Sequence, residues 1–189
     1  WANPTTRVFE TKVALLEGAE DALATASGMA AVSTAVVTSL RRGDHAVTPS
    51  AVYQATYQLF AQILPEFGIE TTVIPDTSLE AYERALRSNT RLLYIETPNN
   101  PVLGITDIAG VVELARRQGA HTIADNTFAT PYNQTPLALG VDVVVHSATK
   151  YLGGHHDLTA GALAGSGEFL QRAKRYLRIF GATIDPFGA

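Results

Sequence analysis

The sequence contains no cysteine, which excludes a disulfide framework, a thiolate metal site and a cysteine nucleophile within this chain. It has no stretch approaching the roughly 20 consecutive apolar residues that cross a bilayer, and no charged region followed by an apolar one near its start. A membrane is therefore not an expected partner, and a soluble, cytoplasmic protein is. Basic clusters are missing too: 14 Lys and Arg face 18 Asp and Glu, a formal net charge of -4, and no basic stripe offers to neutralise a phosphate backbone. No nucleic acid partner is expected. Also absent are GxGxxG and GxxxxGK followed by Ser or Thr, so neither a dinucleotide fingerprint nor a P-loop is present.

What is there is the composition of a globular domain. At 46% hydrophobic and 17% charged residues, the chain lies outside the corner occupied by disordered sequences, and 189 residues suffice to bury one substantial core. No repeat or linker divides it, so 1–189 reads as one domain. The opening Trp1-Ala2-Asn3-Pro4 and the ending Pro186-Phe187-Gly188-Ala189, directly after a helix-like run, read as cuts in a longer polypeptide.

Short apolar runs alternate with longer amphipathic stretches, the pattern of an α/β fold with a mainly parallel sheet flanked by helices. The clearest strand candidates are Leu92–Ile95, His121–Ala124 and Val143–Val145. A helix is predicted from Arg7 to Glu17, with Phe9, Val13 and Leu16 on one face and Gly18 as its stop. A second starts near Ser27-Gly28-Met29 and ends before Gly43. Thr77-Ser78-Leu79-Glu80 has the capping-box spacing before a helix to about Arg87, and Gly119 ends a helix that reaches Gln118.

In open α/β sheets ligands bind beyond the carboxyl ends of the strands, which directs attention to the polar residues there. Four clusters stand out: Ala26-Ser27-Gly28-Met29, Glu96-Thr97-Pro98-Asn99-Asn100-Pro101, Asp125-Asn126-Thr127, and His146-Ser147-Ala148-Thr149-Lys150. Ser27-Gly28-Met29 at a helix start supplies unpaired N–H groups suited to a phosphate, although small residues there also serve tight packing. Asp125 fits a helix cap or a metal ligand as well as a partner for a protonated pyridine nitrogen. Lys150 follows an apolar strand, where partial desolvation would lower its pKa and let it attack an aldehyde. Ser147 and Thr149 flank it at alternate positions, so an extended segment would turn both hydroxyls to one side.

Ser147-Ala148-Thr149-Lys150-Tyr151-Leu152-Gly153-Gly154-His155 resembles the lysine signature of the Cys/Met-metabolism pyridoxal-phosphate enzymes, the trans-sulfuration family. The likeness runs through Asn3-Pro4-Thr5, Ala26 to Ala31, Glu96-Thr97-Pro98, Asp125 to Tyr132 and Val145-His146-Ser147. It implies the large domain of the PLP-dependent transferase fold (fold type I, aspartate-aminotransferase-like), with pyridoxal 5'-phosphate as cofactor. It implies γ-elimination or γ-replacement on sulfur-containing or O-acylated homoserine amino acids through a Schiff base on Lys150. By the same resemblance Asp125 pairs with the pyridine nitrogen, and Gly28 and Met29 offer backbone N–H groups to the phosphate, beside Ser27. Ser147 and Thr149 offer hydroxyls to it. Tyr53 stacks on the ring and exchanges a proton with the leaving group, and Asn100 lies near the ring 3-oxygen. A homotetramer of active-site-sharing dimers is implied as well.

The sequence departs from the family pattern at Gln54-Ala55 after the stacking tyrosine, at Asn99 in place of Thr or Ser, and at His156. The tyrosine and arginine that precede Asn-Pro-Thr in relatives and reach a neighbour's phosphate lie outside the sequence, as does the smaller C-terminal domain. Two further readings stay open: a cofactor-binding homologue without lyase activity, in which Lys150 is a surface residue, and a catalytically incomplete fragment.

Overall fold

One interior strand of the sheet shows how the layers of the molecule arise. Strand Thr90–Glu96 alternates two sets of buried residues, Leu92 and Tyr94 facing one core and Leu93 and Ile95 facing another, as the two-residue period of a doubly covered strand requires. Each fully buried aliphatic side chain is worth roughly 1.5–3 kcal/mol relative to exposure, so a one-residue slip of this strand would exchange both faces at heavy cost.

The computed structural model describes residues 3–189; Trp1 and Ala2, part of the expected cut at the start, lie outside the described residues. In chain order the elements are α1 (Pro4–Glu17), β1 (Asp21–Thr25), α2 (Gly28–Ser39), β2 (His45–Pro49), α3 (Gln54–Gln58), α4 (Leu64–Glu66), β3 (Glu70–Ile74), α5 (Leu79–Ala85), β4 (Thr90–Glu96), α6 (Ile108–Gln118), β5 (His121–Asp125), α7 (Thr130–Asn133), β6 (Val143–Ser147), β7 (Gly161–Gly165) and α8 (Gly167–Phe180). The seven strands form one sheet in the order β1-β7-β6-β5-β4-β2-β3. All pairings from β6 to β3 are parallel, while β7 runs antiparallel to both β6 and β1. The expected mainly parallel α/β sheet flanked by helices is therefore present. Helices α2 and α8 cover one face, α5 and α6 the other, and α1 packs over Ala22, Ala162 and Ala164.

Between α3 and α4 the helix widens to a π-turn over Leu59–Ile63, with the Leu64 N–H bonded to the Leu59 carbonyl. Pro65 lacks an N–H and its ring crowds the carbonyl four residues back, and the wider turn accommodates it.

Three local expectations need correction. Leu16 is 53% exposed, and α1 instead buries Val13, Ala14 and the charged Glu17. The cap of α5 is Ser78, not Thr77: its hydroxyl accepts the Ala81 N–H, Asp76 in turn holds Ser78, and the helix ends at Ala85. The segment after β6 is a turn rather than an extended strand, so Ser147 and Thr149 do not present their hydroxyls in parallel. Tyr53 is 49% exposed at the start of α3.

Candidate active site

The parallel strands β4, β5 and β6 end side by side, with Glu96 registered against Asp125 and Asp125 against Val145. Beyond these ends, against the start of α2, lies a cavity of about 270 Å³. That is close to the lower end of small-molecule sites, roughly 300 Å³. All nine residues singled out from the sequence line it: Ser27, Gly28, Met29, Tyr53, Asn100, Asp125, Ser147, Thr149 and Lys150. They come from five separate stretches of chain, and the sheet is what gathers them.

One wall is built for an anion. The Ser27 hydroxyl caps α2 by accepting the Ala30 N–H, while the N–H groups of Gly28 and Met29, in the first turn, have no helical carbonyl to receive them. Gly28 sits so tightly on the end of β6 that a Cβ there would lie 2.6 Å from the Ser147 Cβ. The cradle and the Ser147 hydroxyl are thus held together by the absence of a side chain. Thr127 supports both neighbours, its hydroxyl accepting the Ser147 N–H at 2.8 Å and its own N–H donating to Asp125 at 2.9 Å.

The floor carries the negative charge. Burial holds the Asp125 carboxyl above the usual carboxylate range, opposed by hydrogen bonds from Thr127, and the long 3.4 Å contact from the Tyr94 hydroxyl adds little. No cation pairs with Asp125 among the described residues. Glu96 is 5% exposed, and burial, with Asp125 nearby, pushes its carboxyl up to about 7. The sequence placed Glu96 in a cluster without giving it a role. Its position directly after the apolar run Leu92–Ile95 was the available signal.

Lys150 is the one cation lining the cavity among the described residues, and it is exposed there; the expected desolvation is not present. The Thr149 hydroxyl is engaged twice with Ala160, donating to its carbonyl and accepting its N–H, both at 3.1 Å. This ties the lysine turn to the start of β7. Asn100 is presented by a loop that Asn99 closes internally: the buried Asn99 amide accepts the Gly104 N–H at 2.9 Å. That bond gives the departure at Asn99 a structural job.

Two neighbours of these residues point elsewhere. His146 and Asn126 meet Glu17 of α1 in a buried polar network, with His146 Nε2 2.6 Å and Asn126 Nδ2 2.9 Å from Glu17 Oε1. His156 is exposed outside the cavity.

A phosphate, a cationic ring and an aldehyde would each find a complement here in the α2 start, Asp125 and Lys150. The comparisons with known proteins agree with that chemistry. The chain is 43% identical to an O-succinylhomoserine sulfhydrylase from Pseudomonas aeruginosa, covering all of this chain and 47% of that protein. It is 50% identical over 160 residues to a cystathionine beta-lyase MetC from Staphylococcus haemolyticus, covering 85% of this chain and 41% of that protein. The crystal structure of metB from Corynebacterium glutamicum superposes with a TM-score of 0.94 at 39% identity, over 99% of this chain and 49% of that one. The chain thus spans about half the length of the curated relatives it matches. With the model of the Cys/Met metabolism PLP-dependent enzymes matching residues 1–189 as well, the chain belongs to that family.

Proposed function

We propose that the protein to which this chain belongs is a trans-sulfuration enzyme that uses Lys150 as its Schiff-base lysine, acting on sulfur-containing or O-acylated homoserine amino acids by γ-elimination or γ-replacement. The family's cofactor is pyridoxal 5'-phosphate. The observation that carries the proposal is the gathering of Lys150, Asp125 and the α2 start around one cavity. When bound, the cofactor supplies an electron-withdrawing cationic ring.

The chain's own residues divide the remaining work. Asp125, a partly buried carboxylate with no ion-pair partner among the described residues, is suited to a protonated ring nitrogen, which would relieve the cost of its desolvation. The N–H groups of Gly28 and Met29 and the hydroxyl of Ser147 are suited to phosphate oxygens. Thr149 can join them only by giving up bonds to Ala160, so its first role is to fix the turn that aims Lys150. Lys150, with no carboxylate within ion-pair distance among the described residues, is free to attack an aldehyde and then to carry a proton. Tyr53, half exposed at the cavity mouth, offers a ring face for stacking and a hydroxyl for the leaving group. Asn100, on the loop after β4, is suited to the ring oxygen.

The same proposal includes residues 1–189 as the large domain, a small domain further along the polypeptide, cytoplasmic residence and a homotetramer of active-site-sharing dimers. Among the described residues no helix is long and apolar enough to cross a membrane. Borohydride reduction of the loaded full-length protein followed by peptide mapping tests the central claim. Attachment at Lys150, lost in Lys150→Ala, is expected; attachment at another lysine overturns it.

A further inference from the structure

Glu96 ends β4 and is almost fully buried, yet neither oxygen is idle. Its Oε2 accepts the N–H of Tyr53 at 2.9 Å and its Oε1 accepts the N–H of Asn100 at 2.8 Å. The two donors belong to different walls of the cavity, one at the start of α3 and the other in the loop after β4. Tyr53 is the N-cap residue of α3 and has no side-chain cap bond of its own, so the carboxylate is what anchors that corner. Both donors are main-chain groups, and the Tyr53 ring and the Asn100 amide stay free to line the cavity.

We infer that Glu96 is a positioning residue whose carboxylate ties the start of α3 to the loop after β4 and so sets the spacing of Tyr53 and Asn100 in the cavity lining. A carboxylate suits this place because it is acceptor-only and has two oxygens; an amide or a protonated acid turns one of them into a donor facing a donor. The titratable and charged groups around it are Asp125 on β5, Tyr94 on β4, Tyr53 at α3 and Lys150 after β6; the α2 wall contributes none. Because burial and Asp125 together raise the Glu96 pKa to about 7, the tie is made above that pH and weakened below it. The catalytic consequence rests on the function proposed above, whereas the tie itself does not.

The test uses the full-length protein without cofactor. The backbone amide resonances of Tyr53 and Asn100 are followed from pH 5 to pH 9, a range of about two units either side of the Glu96 value. The two amides are expected to move with one shared midpoint, and the isosteric Glu96→Gln to abolish that movement and shift at least one of them. Glu96→Asp, too short to reach both donors, should lose one of the two bonds. Unchanged Tyr53 and Asn100 amides in both variants would overturn the inference. In the loaded enzyme, Glu96→Gln should keep the cofactor on Lys150 but lower kcat by about 10–100-fold with little change in KM, the size of a small misplacement of reacting groups. Failure of wild type and variant alike to attach cofactor at Lys150 would sink the proposed function and leave the amide result standing. An altered kcat with unaltered amides would instead count against the tie.

Discussion

Gly28→Ala isolates the contact on which the anion cradle depends. Gly28 does not adopt a left-handed backbone, so alanine is conformationally acceptable and even favoured in a helix by up to about 1 kcal/mol. The obstacle is steric: the new Cβ would meet the Ser147 Cβ at 2.6 Å and the Ser147 Cα at 2.9 Å. A main-chain atom at the end of a central strand cannot rotate aside, so the start of α2 must move off β6 by on the order of 1 Å, with an overpacking cost of about 1–3 kcal/mol. The displaced N–H groups of Gly28 and Met29 then no longer converge with the Ser147 hydroxyl. Losing the alignment of one hydrogen bond to a charged group costs about 1.5–3 kcal/mol, which is roughly ten- to a hundredfold in Kd.

The assay is a titration of full-length apoprotein with pyridoxal phosphate, paired with thermal melts without cofactor. Val36→Ala provides the control, since Val36 is buried in the middle of α2 and its truncation costs stability, about 2 kcal/mol, without touching the cradle. Gly28→Ala should weaken binding while Val36→Ala leaves Kd unchanged. A Kd for Gly28→Ala within about twofold of wild type would refute the cradle.

Asp125→Asn should keep the fold, since an amide can still accept from Thr127, but slow carbanion-forming steps well above tenfold, about 1.4 kcal/mol or more in barrier; unchanged exchange of the substrate α-proton would remove Asp125 from that role. Tyr53→Phe should lose about 10²–10⁴-fold in turnover while retaining cofactor affinity, and Tyr53→Ala should weaken affinity by on the order of 1 kcal/mol; turnover of Phe near wild type leaves only stacking. His45, buried between the hydroxyls of Thr72 and Thr90, is held by burial at about 4, down from 6.5. As pH falls through that window the unfolded chain takes up a proton that the folded one refuses, so stability declines. Denaturation midpoints should show a shallower acid loss in His45→Gln, and an identical slope would contradict the assignment. Glu96 acts with the opposite sign between 4.5 and about 7, its raised value favouring the fold at lower pH, so variant and wild type must be compared at each pH.

The parts of the fold that could be read in advance were those with one simple cause. Strands β4, β5 and β6 are β-branched and apolar because both faces are covered, and α2 and α6 carry their own end signals at Ser27 and Gly119. Strands β1 and β7 were not recognised, because Asp21–Thr25 and Gly161–Gly165 are rich in small residues, with one leucine each. Their small side chains let α1 and the Ser27 turn approach closely, a tertiary demand that has no local signature. Leu16 was assigned inward because periodicity rules count apolar residues. The inward position belongs to Glu17, whose burial is explained only by His146 and Asn126 far along the chain. Of the nine cavity residues, Tyr53 was assigned only through the family resemblance, whereas the other eight were legible because each ends or follows a strand or opens a helix. Glu96 was not, since its function acts through the main chain of Tyr53 and Asn100, and main-chain donors leave no trace in a residue pattern.

The charge around this cavity bears on the assembly proposed above. Two carboxyl groups, Asp125 and Glu96, are raised by burial, and Lys150 is the one cation among the described residues that line the same space. A cationic ring nitrogen would compensate Asp125, but a phosphate brings close to two negative charges at neutral pH. Against them the start of α2 supplies two N–H groups and the helix dipole, equivalent to about half a charge, and Lys150 is committed to the aldehyde. The balance of positive charge must come from groups that do not line this cavity. In the proposed assembly an arginine from a neighbouring subunit would fill that place, and the shortage of cations around Gly28 and Ser147 is the physical argument for expecting one.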